Sequence, residues 1–350
     1  MTLSTAAPAL PALASLANAY GADQHGLICG FLFEPGAPGV PLSLASAAAW
    51  LEAASDKGFV WLHFNLTDAT AEKWMRGHLP LPEDYFDNLR TAASDGPRST
   101  RLENVDDHLV AVVNDVAYEF AFEPSEMSTL WVNVNARAMV SARLHPLRSV
   151  DRLRQAVKTG ACFASSAALL NHLLRDQGDV LVHIVRETTL KVDGVEDGML
   201  SERLAPQRAA LGQLRRVLVR LQRLLVPEPA ALFRLLRQPP HWVSEDDLDE
   251  LRQSTEEFAL VIQDLQALQE RIKLLQEEMA AQIGEQTNRS VFTLTVVTVL
   301  ALPINIIAGL LGMNVGGIPL AQDEHGFLKI GLVVATFTAV ACWYAFRKRK

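Results

Sequence analysis

Asn305 stands in the middle of residues 291–311, a run with no charged side chain. An amide there is costly unless it meets water or a partner. Counted in steps of three and four, Asn288, Val291, Thr295, Thr298, Leu302, Asn305, Gly309 and Gly312 fall on one helical stripe, and Leu294 borders it. Such a stripe can line a polar path through an apolar helix bundle. Its plainer use is an interhelical hydrogen bond from Asn305 that only holds the bundle together. Pro303 can kink the helix beside Asn305 and free a backbone carbonyl near the stripe.

The element that carries this stripe is one of a pair. Residues 291–311 and 327–346 are both apolar and close to the ~20 residues a helix needs to cross a bilayer core. The second run has Lys329 near its start, where a long side chain can snorkel to the headgroups. Arg289 precedes the first run and Arg347, Lys348, Arg349 and Lys350 close the chain, whereas the connecting loop has Asp323 and Glu324 and no Lys or Arg. Basic residues stay on the cytoplasmic side, so a two-pass topology with both termini in the cytoplasm is expected. The terminal basic cluster could also touch anionic lipid.

The 350 residues, 49% hydrophobic with a formal net charge of −8, suffice for one sizeable soluble domain plus the membrane hairpin. The acidic balance argues against nucleic acid as a partner. Cys29, Cys162 and Cys342 lie far apart and form no CxxC pair, which indicates neither a disulfide framework nor a thiolate zinc site. No Walker loop, dinucleotide-binding glycine fingerprint, HExxH or Gly-x-Ser-x-Gly is present, so the chain does not read as an enzyme, no resident cofactor is expected, and ATP is not the expected driving force.

Residues 1–25, rich in Ala and Pro, read as a loose tail. Residues 26–164 read as a cytoplasmic α/β domain, with strands at about 26–33, 59–66, 101–105, 109–118, 130–134 and 138–143 and helices at about 44–54, 69–78 and 149–158. A helical region follows over 165–243, in which Leu204, Leu211, Leu218 and Leu225 recur every seven residues. After Pro239-Pro240, Ser244 with Asp247 offers a helix start resembling a capping box. A second seam, Leu251, Phe258, Leu265, Ile272 and Met279, then marks a stalk helix over 244–290. The two heptad helices look like mates, and antiparallel pairing would bring Arg208, Arg215, Arg216, Arg220 and Arg223 of the first near Glu245, Asp246, Asp247, Asp249 and Glu250 of the second. That acidic cluster could bind a divalent cation, but a solvated helix start favoured by the macrodipole is the better reading. Gly284 is tolerable within a helix at roughly 1 kcal/mol, so one helix can run from stalk through membrane for on the order of 100 Å. One such helix cannot enclose a pore; transport requires a homo-oligomer with these helices around a symmetry axis.

The tripeptide Gly312-Met313-Asn314 at the end of the first span, a second short span over 327–346 and the basic end 347–350 resemble the CorA family of metal-ion transporters. Val315-Gly316-Gly317-Ile318-Pro319, Trp61-Leu62-His63-Phe64-Asn65 and Arg98-Ser99-Thr100-Arg101-Leu102-Glu103-Asn104 resemble its zinc-transporting ZntB branch. The likeness covers most of the chain from about Gly26. It implies a homopentamer of the bacterial-type inner membrane, with a funnel-shaped α/β domain, a stalk helix that continues as the pore-lining span, and an outer ring of second spans. It also implies that Gly312, Met313 and Asn314, in a periplasmic loop over 312–326, form the outer pore entrance, where neutral amide and carbonyl oxygens hold a hydrated divalent cation weakly enough to release it.

The cargo implied is Zn2+, with Mg2+, Co2+ or Ni2+ as alternatives, because the loop has Val-Gly-Gly-Ile-Pro where Mg2+-transporting members commonly continue Met-Pro-Glu-Leu. Zinc favours nitrogen and sulfur ligands, and the loop offers only His325 and the thioether of Met313. Asp323 and Glu324 beside His325 could gather cations, though a lone loop histidine is more often solvated. His172 and His183 lie ~16 Å apart along a helix and cannot share an ion; His63 and His108, in strand-like runs, read as packing or hydrogen-bonding residues. The resemblance favours proton coupling, for which neither span holds a carboxylate. A membrane-anchored scaffold, tethered by its hairpin, is the remaining reading.

Overall fold

The computed structural model describes residues 25–53, 57–95, 100–118, 121, 126–199, 204–313 and 323–347. The expected N-terminal tail short of His25, Asn314 with the rest of 314–322, and the last three basic residues lie outside them. The chain divides into two compact units, Met1–Leu274 and Leu275–Lys350.

In the first unit, β1 (Leu27–Phe33), β2 (Val40–Pro41), α1 (Leu44–Glu52), β3 (Phe59–Asn65), α2 (Ala71–His78), α3 (Glu83–Asp95), β4 (Arg101–Val105), β5 (His108–Val116), β6 (Met127–Val134), β7 (Ala138–Arg143) and α4 (Arg148–Lys158) precede α5 (Ser166–Met199), α6 (Leu204–Leu225) and α7 (Pro227–Arg237). The strands form one sheet in the order β2-β1-β3-β7-β6-β5-β4. It is antiparallel except where β3 runs parallel to β7, with Val60 opposite Ala138 and Asn65 opposite Arg143. Side chains alternate between its faces. Phe59 and Trp61 pack with Met139, Leu153, Leu170 and Leu232 on the side of α4, α5 and α7. Val60, Leu62 and Phe64 pack with Met75, Tyr85 and Val140 on the side of α2 and α3. Helix α3 was not legible as a helix: its buried Tyr85, Phe86 and Leu89 are a short i, i+1, i+4 set in an otherwise polar segment, and only the sheet gives them something to cover.

A polar row crosses the first of these faces. The Trp61 indole donates to Ser141 Oγ at 3.0 Å, and His63 Nδ1 lies 2.9 Å from the same oxygen. Arg143 Nε donates to His63 Nε2 at 3.1 Å. Since Nε2 accepts, the ring proton of the neutral imidazole is assigned to Nδ1 and donates to Ser141. Burial, and then the Arg143 charge, hold His63 well below the usual histidine range. His108 likewise makes a structural contact, Nδ1 to Asn133 Oδ1 at 3.0 Å.

Helix α8 runs Glu245–Leu311, and its start is built as the Ser244 and Asp247 pattern predicts. Ser244 Oγ accepts from the Asp247 amide at 3.2 Å and donates to Asp247 Oδ2 at 2.8 Å. Ser165, whose Oγ accepts from the Ala168 amide at the start of α5, donates to the same Oδ2 at 2.8 Å. Asn171 Nδ2 donates to the Asp247 carbonyl at 2.8 Å. Helices α5 and α8 therefore begin together and run parallel: Arg175 pairs with Glu250, and farther along Arg271 pairs with Asp193 at 2.7 Å and with Glu196 at 2.5 Å. Helix α6 does meet α8, through Gln269 Nε2 donating to Leu218 O at 2.8 Å, and buries Leu211, Leu218 and Leu225. Ion pairs also tie α8 to α5, which carries opposite charges at matching heights.

The second unit holds the rest of α8 and helix α9 (Gly326–Arg347).

Candidate pore-lining site

An 18-residue window of α8 has mean hydropathy 2.3 and none of it is buried, so the helix is long and apolar enough to cross a membrane. The described apolar part of α9, Gly326–Ala341, is shorter. Helix α8 stays helical through Pro303, which has no N–H to give the Val299 carbonyl. At 100° per residue, Asn288, Val291, Leu294, Thr295, Thr298, Leu302, Asn305 and Gly309 all fall within about 60° of Val291 on the helical wheel. All eight are exposed, so the stripe is a continuous outer face.

Its hydroxyls are oriented by the helix itself. Thr295 Oγ1 donates to Val291 O at 2.8 Å and Thr298 Oγ1 donates to Leu294 O at 2.9 Å. With the proton turned inward, each hydroxyl leaves its lone pairs outward. Together with the Asn305 amide, the stripe can therefore present neutral oxygen acceptors, the ligands that suit a hydrated hard cation.

The helix ends at Gly312 and Met313, whose amides donate to Ala308 O at 2.9 Å and Leu310 O at 3.4 Å. A Cβ on Gly312 would lie 3.0 Å from Ala308 O, so glycine lets the chain turn there without crowding that carbonyl. Met313 is exposed. Asn314, the third residue of the tripeptide, lies outside the described residues.

Asp323, Glu324 and His325, expected as cation-gathering residues, are exposed at the start of α9. The Asp323 carboxylate is engaged: Oδ1 accepts from the His325 amide at 3.0 Å, and Oδ2 takes the Lys329 ammonium, which holds the carboxyl below its usual range. It acts as a cap for α9. Among the described residues no group of three or more His, Cys, Asp and Glu could hold a metal ion. In the acidic start of α8, Asp247 serves as the double cap, Glu250 meets Arg175, and Asp249 accepts from Arg252 at 2.5 Å.

Sequence reasoning missed one polar cluster. Glu228 in α7, Gln177 in α5, Asp115 in β5 and Thr100 before β4 are buried together with the Asn114–Thr129 pair. Nothing in the local sequence marks it, since these residues meet only when α5 and α7 cover the sheet.

An α/β unit whose last helix continues into an apolar stretch lined by neutral oxygens, with a second apolar helix after it, is the build of a membrane protein that handles hydrophilic cargo. The chain belongs to the CorA family: the model of that family, described as CorA-like Mg2+ transporter protein, matches residues 56–349. These transporters are membrane proteins and not enzymes. The chain is 31% identical over 333 residues to the divalent cation transporter CmaX of Pseudomonas aeruginosa, which covers 93% of this chain and 97% of that one. It is 24% identical over 284 residues to the zinc transport protein ZntB of Yersinia enterocolitica, covering 81% of this chain and 85% of that one. The solved structure of full-length CmaX superposes with a TM-score of 0.76 at 29% identity, covering 94% of this chain and 99% of the other.

Proposed function

We propose that this chain is a divalent metal cation transporter of the inner (plasma) membrane, that Zn2+ is its cargo, and that an inward proton gradient drives uptake. The observation that carries the reading is the exposed stripe on α8 from Asn288 to Gly309, whose threonine hydroxyls turn their lone pairs outward. Neutral oxygens bind a hydrated dication and let it go. The similarity to ZntB and the Val315-Gly316-Gly317-Ile318-Pro319 segment support zinc.

A single stripe encloses nothing, so the transporter is a homo-oligomer, a pentamer by its family resemblance. The outer face of α8 supports self-association. Leu260 and Leu274, 60% and 62% exposed, are apolar side chains left uncovered on the part of α8 that belongs to the first unit. Both termini lie in the cytoplasm, and the 312–326 loop with Asn314 forms the outer mouth. Gly312, Met313 and Asn314 meet the hydrated ion first. Asp323, Glu324 and His325 stand near that mouth, and lipid covers α9, where Phe327, Leu332 and Phe337 are exposed.

A second reading, a Mg2+ channel of the same architecture, is favoured by the chemistry of the stripe, whose oxygens suit a hard cation better than they suit zinc. Uptake of Zn2+ and of Mg2+ into proteoliposomes, with and without an inward proton gradient, separates the two. Zn2+ uptake enhanced by the gradient supports the first; Mg2+ flux indifferent to pH supports the second. No flux of either ion from verified intact oligomers sinks both and leaves the membrane-anchored scaffold. Asn314→Ala is expected to abolish selective uptake with the oligomer intact, and unchanged flux in it removes the mouth assignment.

A further inference from the structure

Glu228 lies in the first turn of α7 and is 1% exposed. Its Oε2 receives Gln177 Nε2 at 3.1 Å and Thr100 Oγ1 at 3.2 Å. Gln177 Nε2 also donates to the Asn114 carbonyl at 2.7 Å, and Thr100 Oγ1 lies 3.3 Å from Leu224 O. Donors and acceptors do not balance. The one Thr100 hydroxyl proton faces two acceptors, Glu228 Oε2 and Leu224 O, while the two Gln177 amide protons go to Asn114 O and Glu228 Oε2. Gln177 Oε1 is buried and has no hydrogen-bond partner among the described residues. The cluster is short of a donor.

The charged groups among the described residues do not supply one. Among the described residues the charged group that acts on Glu228 is Asp115 of β5, also buried, whose Oδ2 accepts from the Ser149 amide and hydroxyl at 2.9 and 2.6 Å. The neighbours from α5, α6 and the residue before β4 are Gln177, the Leu224 carbonyl and Thr100, all neutral. A buried carboxylate with no cation acting on it among the described residues and a second carboxylate nearby is a costly arrangement, and a proton removes the cost.

We propose that Glu228, with Gln177 and Thr100, forms a proton-binding site in the α/β unit, in which the bound proton supplies the missing donor and fastens α7 to α5 and to the segment before β4. Protonated Glu228 donates either to Gln177 Oε1 or to Thr100 Oγ1, which then gives its own proton to Leu224 O. Burial, reinforced by Asp115, pushes the Glu228 carboxyl up to about 8, so the proton leaves within the range a cytoplasm can reach. Loss of the proton weakens the packing of α7, the helix that directly precedes α8.

The test uses the full chain in detergent or nanodiscs and does not depend on transport. Infrared difference spectra between pH 6.5 and 9.5 should show a buried carboxylic acid C=O band that titrates with a midpoint near 8 and is missing in Glu228→Gln. The thermal midpoint of the wild type should fall across that range, and that of Glu228→Gln, which keeps a donor permanently, should not. Should Glu228→Gln fail to fold, Asp115→Asn keeps the proposal testable, because removing the neighbouring charge should move the band's midpoint downward. A band unchanged in Glu228→Gln, or a midpoint unmoved in Asp115→Asn, overturns the proposal.

Discussion

Arg143 donates from Nε to His63 Nε2 at 3.1 Å in the interior of the sheet's first face, so a buried cation leans on an imidazole that must stay neutral. The sign of the pH effect follows. The folded state depresses the His63 pKa, so below about 6.5, where unfolded histidine protonates, the unfolded chain binds the extra proton. The contribution is complete above that pH and is lost as pH falls through the range. Denaturant unfolding of the full protein between pH 5 and 7.5 should show stability declining toward acid, and His63→Gln should flatten that slope. His63→Ala should cost about 1–3 kcal/mol at pH 7.5, because it takes away an acceptor of a buried guanidinium.

Asp247 gathers the caps of two helices through one carboxylate oxygen. Asp247→Ala should destabilise the first unit by about 1–2 kcal/mol, the usual worth of a cap. Limited proteolysis should then cut near Ser165 and Ser244 faster than in the wild type. If Ser244→Ala alone costs as much as Asp247→Ala, the shared cap is not the source of the effect.

Packing should outweigh surface charge along α8. Leu265 is fully buried, and Leu265→Ala should cost about 2–5 kcal/mol. Arg271 pairs with Asp193 and Glu196, yet all three side chains are more than two-fifths exposed, so Arg271→Ala should cost less than about 1 kcal/mol and less still at high salt. Thermal melts of the two variants at low and high ionic strength decide the order.

In the stripe, Thr298→Val keeps the shape of the side chain and removes the oxygen that now points outward. If the stripe conducts, cation flux into proteoliposomes should fall by about tenfold or more in Thr298→Val and in Asn305→Leu, with the oligomer unchanged by size-exclusion light scattering. Asn305→Leu that disperses the oligomer instead would assign Asn305 to an interhelical hydrogen bond.

Gly312→Val should disturb the end of α8, since its Cβ would lie 3.0 Å from Ala308 O and the branched chain adds bulk. The expected result is loss of uptake with normal expression; wild-type flux would show that the helix end tolerates the crowding.

The parts of this protein that were legible from its amino acids are those that depend on local periodicity and on the solvent a segment must face. Residues 291–311 have no charge, so the span was legible from composition. The stripe followed from steps of three and four within one helix, and the start of α8 followed from Ser244 and Asp247, three residues apart. The tripeptide Gly312-Met313-Asn314 between two apolar runs was enough to recognise the family. Tertiary structure alone decided which charged residues meet. Arg175 of α5 meets Glu250 at the acidic start of α8, and Asp193 of α5 meets Arg271 farther along, because ion pairing depends on which helix runs parallel at matching height. Nor could sequence show that Asp323 is held by Lys329, or that Glu228, Gln177 and Thr100 converge, since residues 100, 177 and 228 become neighbours only when two helices close over a sheet and strip water from a carboxyl group that would otherwise have been an ordinary surface glutamate.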